Sequence, residues 1–118
     1  MAMSSFRDLE VWREAHKVVL LVYQCTLNFP VEERYGLTSQ MRRAAVSVPA
    51  NIVEGFKRRG IAEKIRFYNI AEASLEELKY YFILAEDLQY LSATDLNANA
   101  DKVGRLLSGF IASTERRR

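Results

Sequence analysis

A chain of 118 residues is long enough for one domain and too short for two ordinary ones. With 49% hydrophobic and 27% charged residues it is neither disordered nor fibrous, and 17 Lys+Arg against 15 Asp+Glu leave a net charge of +2, so nucleic-acid affinity has to come from clustering and not from the total. A single cysteine, Cys25, excludes an intrachain disulfide and fits a reducing cytoplasm, and the longest apolar run, Val18 to Tyr23, is too short to span a bilayer.

The opening MAMSS lacks the apolar stretch of a secretory signal, so residues 1–5 read as a disordered leader and 6–118 as one domain. The first helical segment runs from Phe6 to Asn28, with Leu9, Trp12, His16, Val19, Tyr23 and Leu27 at helical spacing and Val18, Leu21 and Val22 widening the face. Phe29-Pro30 ends it. The second segment spans Leu37 to Arg59, with Thr38 as the expected N-cap and Gly60 as the expected left-handed stop. Its apolar line is Leu37, Met41, Ala44, Val48, Ile52 and Phe56. The third spans Ile61 to Tyr90, with Tyr68, Ala71, Leu75, Leu78, Phe82 and Ala85 in steps of three and four. The fourth begins near Ser92, with Asp95 completing a variant capping box. Leu96, Ala100, Val103, Leu107, Phe110 and Thr114 form its inner line. The scarcity of proline and glycine favours long helices. Four amphipathic helices with short connections predict an all-α, up-down-up-down four-helix bundle with a proline in its second helix. The apolar faces of the first and third helices are wider than a lone bundle needs, which predicts subunit contact.

Pro49 sits in the middle of the second helix, where it costs about 3 kcal/mol unless packing offsets the loss. The helix is expected to run through it with a bend. Beside it Gln40, Arg43, Ser47, Asn51, Glu54 and Arg58 fall on one face. They form either a solvated stripe or a structural polar network of Gln40, Arg43, Ser47, Asn51 and Glu54, with Ser47 bonding back toward the Arg43 carbonyl.

YGLTSQMRRAAVSVPANIVEGFKRRG, residues 35–60, resembles the signature of a small bacterial four-helix bundle family. Its members include proteins encoded in intervening sequences of large-subunit ribosomal RNA genes; a related branch is the accessory variability determinant of diversity-generating retroelements. The likeness extends through FRDLEVWREAH and FPVEERYGL upstream and RFYNIAEASLEELKYY downstream. Gln40, Arg43, Ser47, Pro49, Asn51, Glu54 and Gly55 all match the family pattern. The resemblance implies a homopentameric ring and favours the network reading of the stripe. Through the retroelement branch it implies nucleic acid and a reverse transcriptase as partners. It implies no enzymatic activity.

In up-down-up-down order, residues 1–17, 52–70 and 108–118 share one pole of the bundle. That pole holds eleven Lys or Arg against six Asp or Glu, a net +5, which leaves −3 for the rest of the chain. Lys57, Arg58, Arg59, Lys64 and Arg66 cluster at the tip between the second and third helices and are the expected contacts to structured RNA or duplex DNA. Terminal cations also stabilise helix dipoles, which accounts for part of Lys57–Arg59, but Lys64 and Arg66 near a helix start have no such explanation. Phe56 and Phe67 lie nearby and read as core residues.

Catalytic equipment is missing from the sequence. His16, the one histidine, falls within the apolar spacing of the first helix and reads as a core residue. A di-iron bundle site needs paired Glu-x-x-His motifs, which Glu54, Glu72 and Glu76 do not supply, so no metal and no cofactor are expected. Cys25 reads as an inert buried thiol. The combined expectation is a non-enzymatic, cytoplasmic, homo-oligomeric scaffold with an RNA-binding rim. The alternative is a protein-interaction adaptor that recruits a partner such as a reverse transcriptase.

Overall fold

Four helices carry the fold in the computed structural model, which describes residues 5–117: α1 Glu10–Thr26, α2 Leu37–Lys57, α3 Ile61–Asp87 and α4 Thr94–Glu115. Residues 1–4, most of the expected leader, and Arg118, counted in the basic pole, lie outside the described residues. The helices pack in a closed square, α1 on α2, α2 on α3, α3 on α4 and α4 on α1, with α2 and α3 sharing the largest contact. The resulting four-helix bundle measures 47 × 24 × 21 Å.

The inner lines of α2, α3 and α4 are those their periodicity predicts, except that Phe56 and Phe110 are half-buried. Met41, Val48 and Ile52, then Tyr68, Leu78 and Phe82, then Val103 and Leu107 are all buried. The α1 line is different. Val11, Ala15, Val18, Val19, Val22 and Thr26 face the core, whereas His16, Tyr23 and Leu27 are exposed and Trp12 is half-buried. A helix enclosed by two neighbours buries a face of small and β-branched side chains at close approach. The bulky residues that make the stretch 18–23 of α1 apolar at every phase, Leu20 and Tyr23, lie outside that face. Leu9 also leaves helical geometry (φ −81°, ψ 123°), which separates α1 from a 3₁₀ turn at Phe6–Asp8 capped by Ser5 and Asp8.

The helix ends differ most from expectation. Thr38 does not cap α2: Gly36 holds that position, and the Leu37 N–H donates to Glu33 Oε1 at 3.2 Å. Gly60 is extended (φ −83°, ψ 143°) and precedes α3, so it is not a left-handed stop for α2, which ends when Arg58 turns extended. The left-handed residue is Gln89 (φ 64°) after α3. There the Gln89 N–H donates to the Glu86 carbonyl and the Tyr90 N–H to the Ala85 carbonyl, both at 2.9 Å, the paired bonds of a Schellman cap. Ser92 and Asp95 form no capping box for α4. The Ala93 N–H donates instead to Glu86 Oε2 at 2.9 Å, a carboxylate from the end of α3. At the starts of α2 and α4 an acceptor from another segment, Glu33 or Glu86, thus replaces the local cap.

Candidate nucleic-acid interface

Short connection and helix direction together bring five cations to the α2–α3 tip. Lys57, Arg58, Arg59 and Arg66 are exposed, and Lys64 is half-buried. Phe67 organises two of them. The Arg58 and Arg66 guanidinium carbons lie 4.7 and 4.8 Å from the Phe67 ring centroid, within cation–π range. Arg58 also donates to Glu54 at 3.3 Å and Arg66 to Glu63 at 3.2 Å, both exposed pairs of small energetic weight. Lys57 and Arg59 make no ion pair among the described residues. Phe67 is half-buried, and its expected core role is corrected to a platform for arginine. The one available signal was its position directly after Arg66 and opposite a helix ending in three cations.

Lys64 does something else. Its Nζ donates to the Phe56 carbonyl at 2.7 Å and the Gly55 carbonyl at 3.4 Å, so it closes the C-terminal end of α2. A cation early in α3 thus satisfies the negative end of the preceding helix. This overturns the expectation that Lys64 lacks a folding role. Burial, then the nearby Arg117 charge, lowers its pKa.

The polar stripe separates into two parts. Ser47 Oγ and Ser74 Oγ of α3 are 2.8 Å apart, and Asn51 Nδ2 donates to Ser47 Oγ at 3.0 Å and to the Ser47 carbonyl at 2.8 Å. Ser47 thus bonds across to α3 and not back to Arg43. Gln40, Arg43 and Glu54 are exposed and stand apart from this cluster. The expected five-residue network is corrected to Ser47, Asn51 and Ser74, because α3 closes over only the middle of the stripe. Gln40 receives a long 3.5 Å contact from the Tyr81 hydroxyl, and Glu54 holds Arg58. α2 continues as a helix through Pro49, which is buried.

Gly55 makes the closest approach between α2 and α3. A Cβ placed there would sit 2.5 Å from Tyr68 Cε1, 2.8 Å from Cδ1 and 3.1 Å from the Lys64 carbonyl oxygen. The Tyr68 ring is 1% exposed and is backed by Phe110 at 4.9 Å.

His16 is exposed and stacks on Trp12, with centroids 5.2 Å apart and planes 4° from parallel, so its expected core role is corrected to a surface ring pair. Cys25 is half-buried, and burial followed by the Asp95 charge raises its thiol pKa. Among the described residues no group of three or more His, Cys, Asp or Glu is placed to hold a metal ion. Nor, among those residues, is any helix long and apolar enough to cross a membrane.

The sequence profile of the 23S rRNA-intervening sequence protein family matches residues 7–109. The chain belongs to that family. A member of the S23 ribosomal protein family from Bacteroides thetaiotaomicron, a crystal structure of a protein of unknown function, superposes with a TM-score of 0.76 at 21% identity. The match covers 86% of this chain and 97% of that one, and at this identity it supports the fold alone. No match was found among curated proteins. Neither the intervening-sequence family nor the S23 neighbour is described by a reaction.

Proposed function

We propose that this intervening-sequence family member is a non-enzymatic, homo-oligomeric scaffold whose basic rim binds structured RNA. The observation that carries the reading is the α2–α3 tip: Lys57 and Arg59 unpaired and exposed, beside Arg58 and Arg66 held on Phe67. Arginines ordered on an aromatic ring lose less freedom when they meet a phosphate. The contact is to the backbone and tolerates sequence. Self-assembly, as a pentameric ring, would repeat the tip around one rim. Support for assembly comes from apolar residues left outside the bundle, Leu20 and Tyr23 on α1, Leu27 just after it and Val46 on α2. Binding of a hairpin RNA, followed by fluorescence anisotropy across a salt series, tests the rim. Affinity should fall steeply with salt, and replacing Lys57, Arg58 and Arg59 with glutamine should weaken binding and flatten the slope. A parent protein that binds no RNA at low salt would end this reading.

A second reading rests on the outer face of α3, where Tyr80 and Ile83 are 57% and 56% exposed. There the protein would act as an adaptor for a protein partner, such as a reverse transcriptase, without touching nucleic acid itself. Unchanged RNA affinity in the triple glutamine variant would favour it.

A further inference from the structure

At the basic pole the ends of all four helices enclose a groove of about 760 Å³, within the size range of small-molecule sites. Leu9, Phe56, Leu106 and Phe110 form its apolar walls, and Lys64, Tyr68 and Arg117 also line it. The Tyr68 side chain is 1% exposed, yet its hydroxyl has no hydrogen-bond partner among the described residues. Among those residues no fully buried side-chain oxygen or nitrogen is left without a partner. The Tyr68 hydroxyl therefore keeps its contact with the groove, as a donor facing it from an otherwise buried ring. Lys64 uses two of its three donors on the Gly55 and Phe56 carbonyls, which leaves one.

We propose that this groove binds a small organic anion with an apolar body, its carboxylate accepting from Tyr68, Lys64 and Arg117 and its body lying against Phe56, Leu106 and Phe110. The pairing follows from the lining. Two cations drawn together beside apolar walls repel one another, and an anion relieves that repulsion. Burial pushes the Tyr68 pKa up to about 12, with Arg117 opposing the shift, so the hydroxyl is a neutral donor across the physiological range. Glu10 and Ser113 also line the groove, and Glu10, on an exposed position, disfavours an anion of high charge. A monoanionic head therefore fits better than a polyphosphate. The inference is independent of RNA binding, because Lys57, Arg58, Arg59 and Arg66 do not line the groove.

The test titrates the full chain with 2-naphthoate, decanoate and the neutral 2-naphthamide, with NMR shifts of Leu106 methyls and the Phe110 ring to locate binding. At least one anion should bind and move those signals, and the amide should bind about tenfold more weakly. Decanoate alone would identify an acyl ligand, 2-naphthoate alone an aromatic acid, and either result supports the site. Tyr68→Phe removes a hydroxyl with no protein partner, so its melting temperature should match the parent while anion affinity falls about tenfold. Arg117→Gln, a change outside the core, should also weaken binding. The Lys57, Arg58 and Arg59 glutamine variant should bind the anions as the parent does, which separates this site from the rim. The proposal fails if neither anion binds at millimolar concentration, if the amide binds equally well, if the shifts map elsewhere, or if either Tyr68→Phe or Arg117→Gln keeps full affinity.

Discussion

Replacing Gly55 with alanine should destabilise the protein, against the usual direction of a glycine-to-alanine change in a helix. Helix propensity alone favours alanine by about 1 kcal/mol. The added methyl, however, would lie 2.5 and 2.8 Å from two Tyr68 ring carbons and 3.1 Å from the Lys64 backbone oxygen. The ring cannot simply retreat, because it is 1% exposed with Phe110 packed on it. Overpacking of this kind costs about 3 kcal/mol at the upper end of its usual range, which leaves a net loss of about 2 kcal/mol. For a domain of this size that lowers the melting temperature by about 8 °C. Gly109 in α4 provides the internal control, since a Cβ there meets nothing within 4 Å. Gly109→Ala should raise stability by about 0.5–1 kcal/mol. Both variants are measured by circular dichroism at one protein concentration, because assembly would make the midpoint concentration-dependent. If Gly55→Ala is as stable as the parent, or is stabilised like Gly109→Ala, α2 and α3 do not approach as described.

Other substitutions probe the remaining features. Asn51→Ala removes two donations to Ser47 at a half-buried site and should cost about 1 kcal/mol in urea unfolding, whereas a neutral result would mean that water replaces the side chain. Gln89→Gly relieves a left-handed residue and should stabilise by about 0.5–1 kcal/mol, read from the same unfolding curves. Glu14 has its pKa lowered first by its bond to Lys17 at 2.9 Å and also by Lys102 at 3.3 Å. Its contribution is thus fully present above the unfolded carboxyl pKa and is lost as pH falls through the lower folded value, so stability of Glu14→Gln should decline less between neutral and acid pH. Parallel pH profiles for parent and variant would refute that. Light scattering at low micromolar concentration should give a mass several times 13.6 kDa, and a monomer would remove the scaffold reading.

Periodicity made most of the buried faces of α2, α3 and α4 legible: in α2 and α4 one apolar line is flanked by polar and charged residues, and in α3 the buried line holds an unbroken step of three and four although Ile70, Tyr80 and Ile83 lie exposed beside it. It failed for α1, where VVLLVY at residues 18–23 is apolar at every phase and offers no contrast. The caps were illegible for another reason. Glu33 closes the start of α2, Glu86 the start of α4 and Lys64 the end of α2, each from outside the helix it serves. Capping rules read residues at fixed offsets within one helix and cannot anticipate a partner delivered by the fold. The charge cluster was visible as a run, but its division into Lys64, turned inward, and Arg58 and Arg66, held on Phe67, depends on where each side chain meets the neighbouring helix.

The residues of the second helix that looked anomalous in isolation act on a single contact, that between α2 and α3. Ser47 meets Ser74, Gly55 admits Tyr68, and the Phe56 carbonyl receives Lys64. Ser47 and Gly55 are eight residues apart, so these points span about 12 Å along α2. Moving either helix by one residue would shift it about 1.5 Å and rotate its side chains by about 100°. Such a slip would part the serine pair, bring a side chain where only Gly55 fits against Tyr68, and withdraw Lys64 from the helix end. The register of α2 on α3 is thereby fixed at three chemically different points. That same register brings Arg58, from the end of one helix, and Arg66, from the start of the next, to the same Phe67 ring. Ser47 in the middle of the helix and Gly55 in its last turn thus help set the arrangement of the cations at its tip. A change at Ser47 or Gly55 should therefore disturb the seating of Arg58 and Arg66 on Phe67, and with it the proposed RNA binding, although neither residue touches that ring.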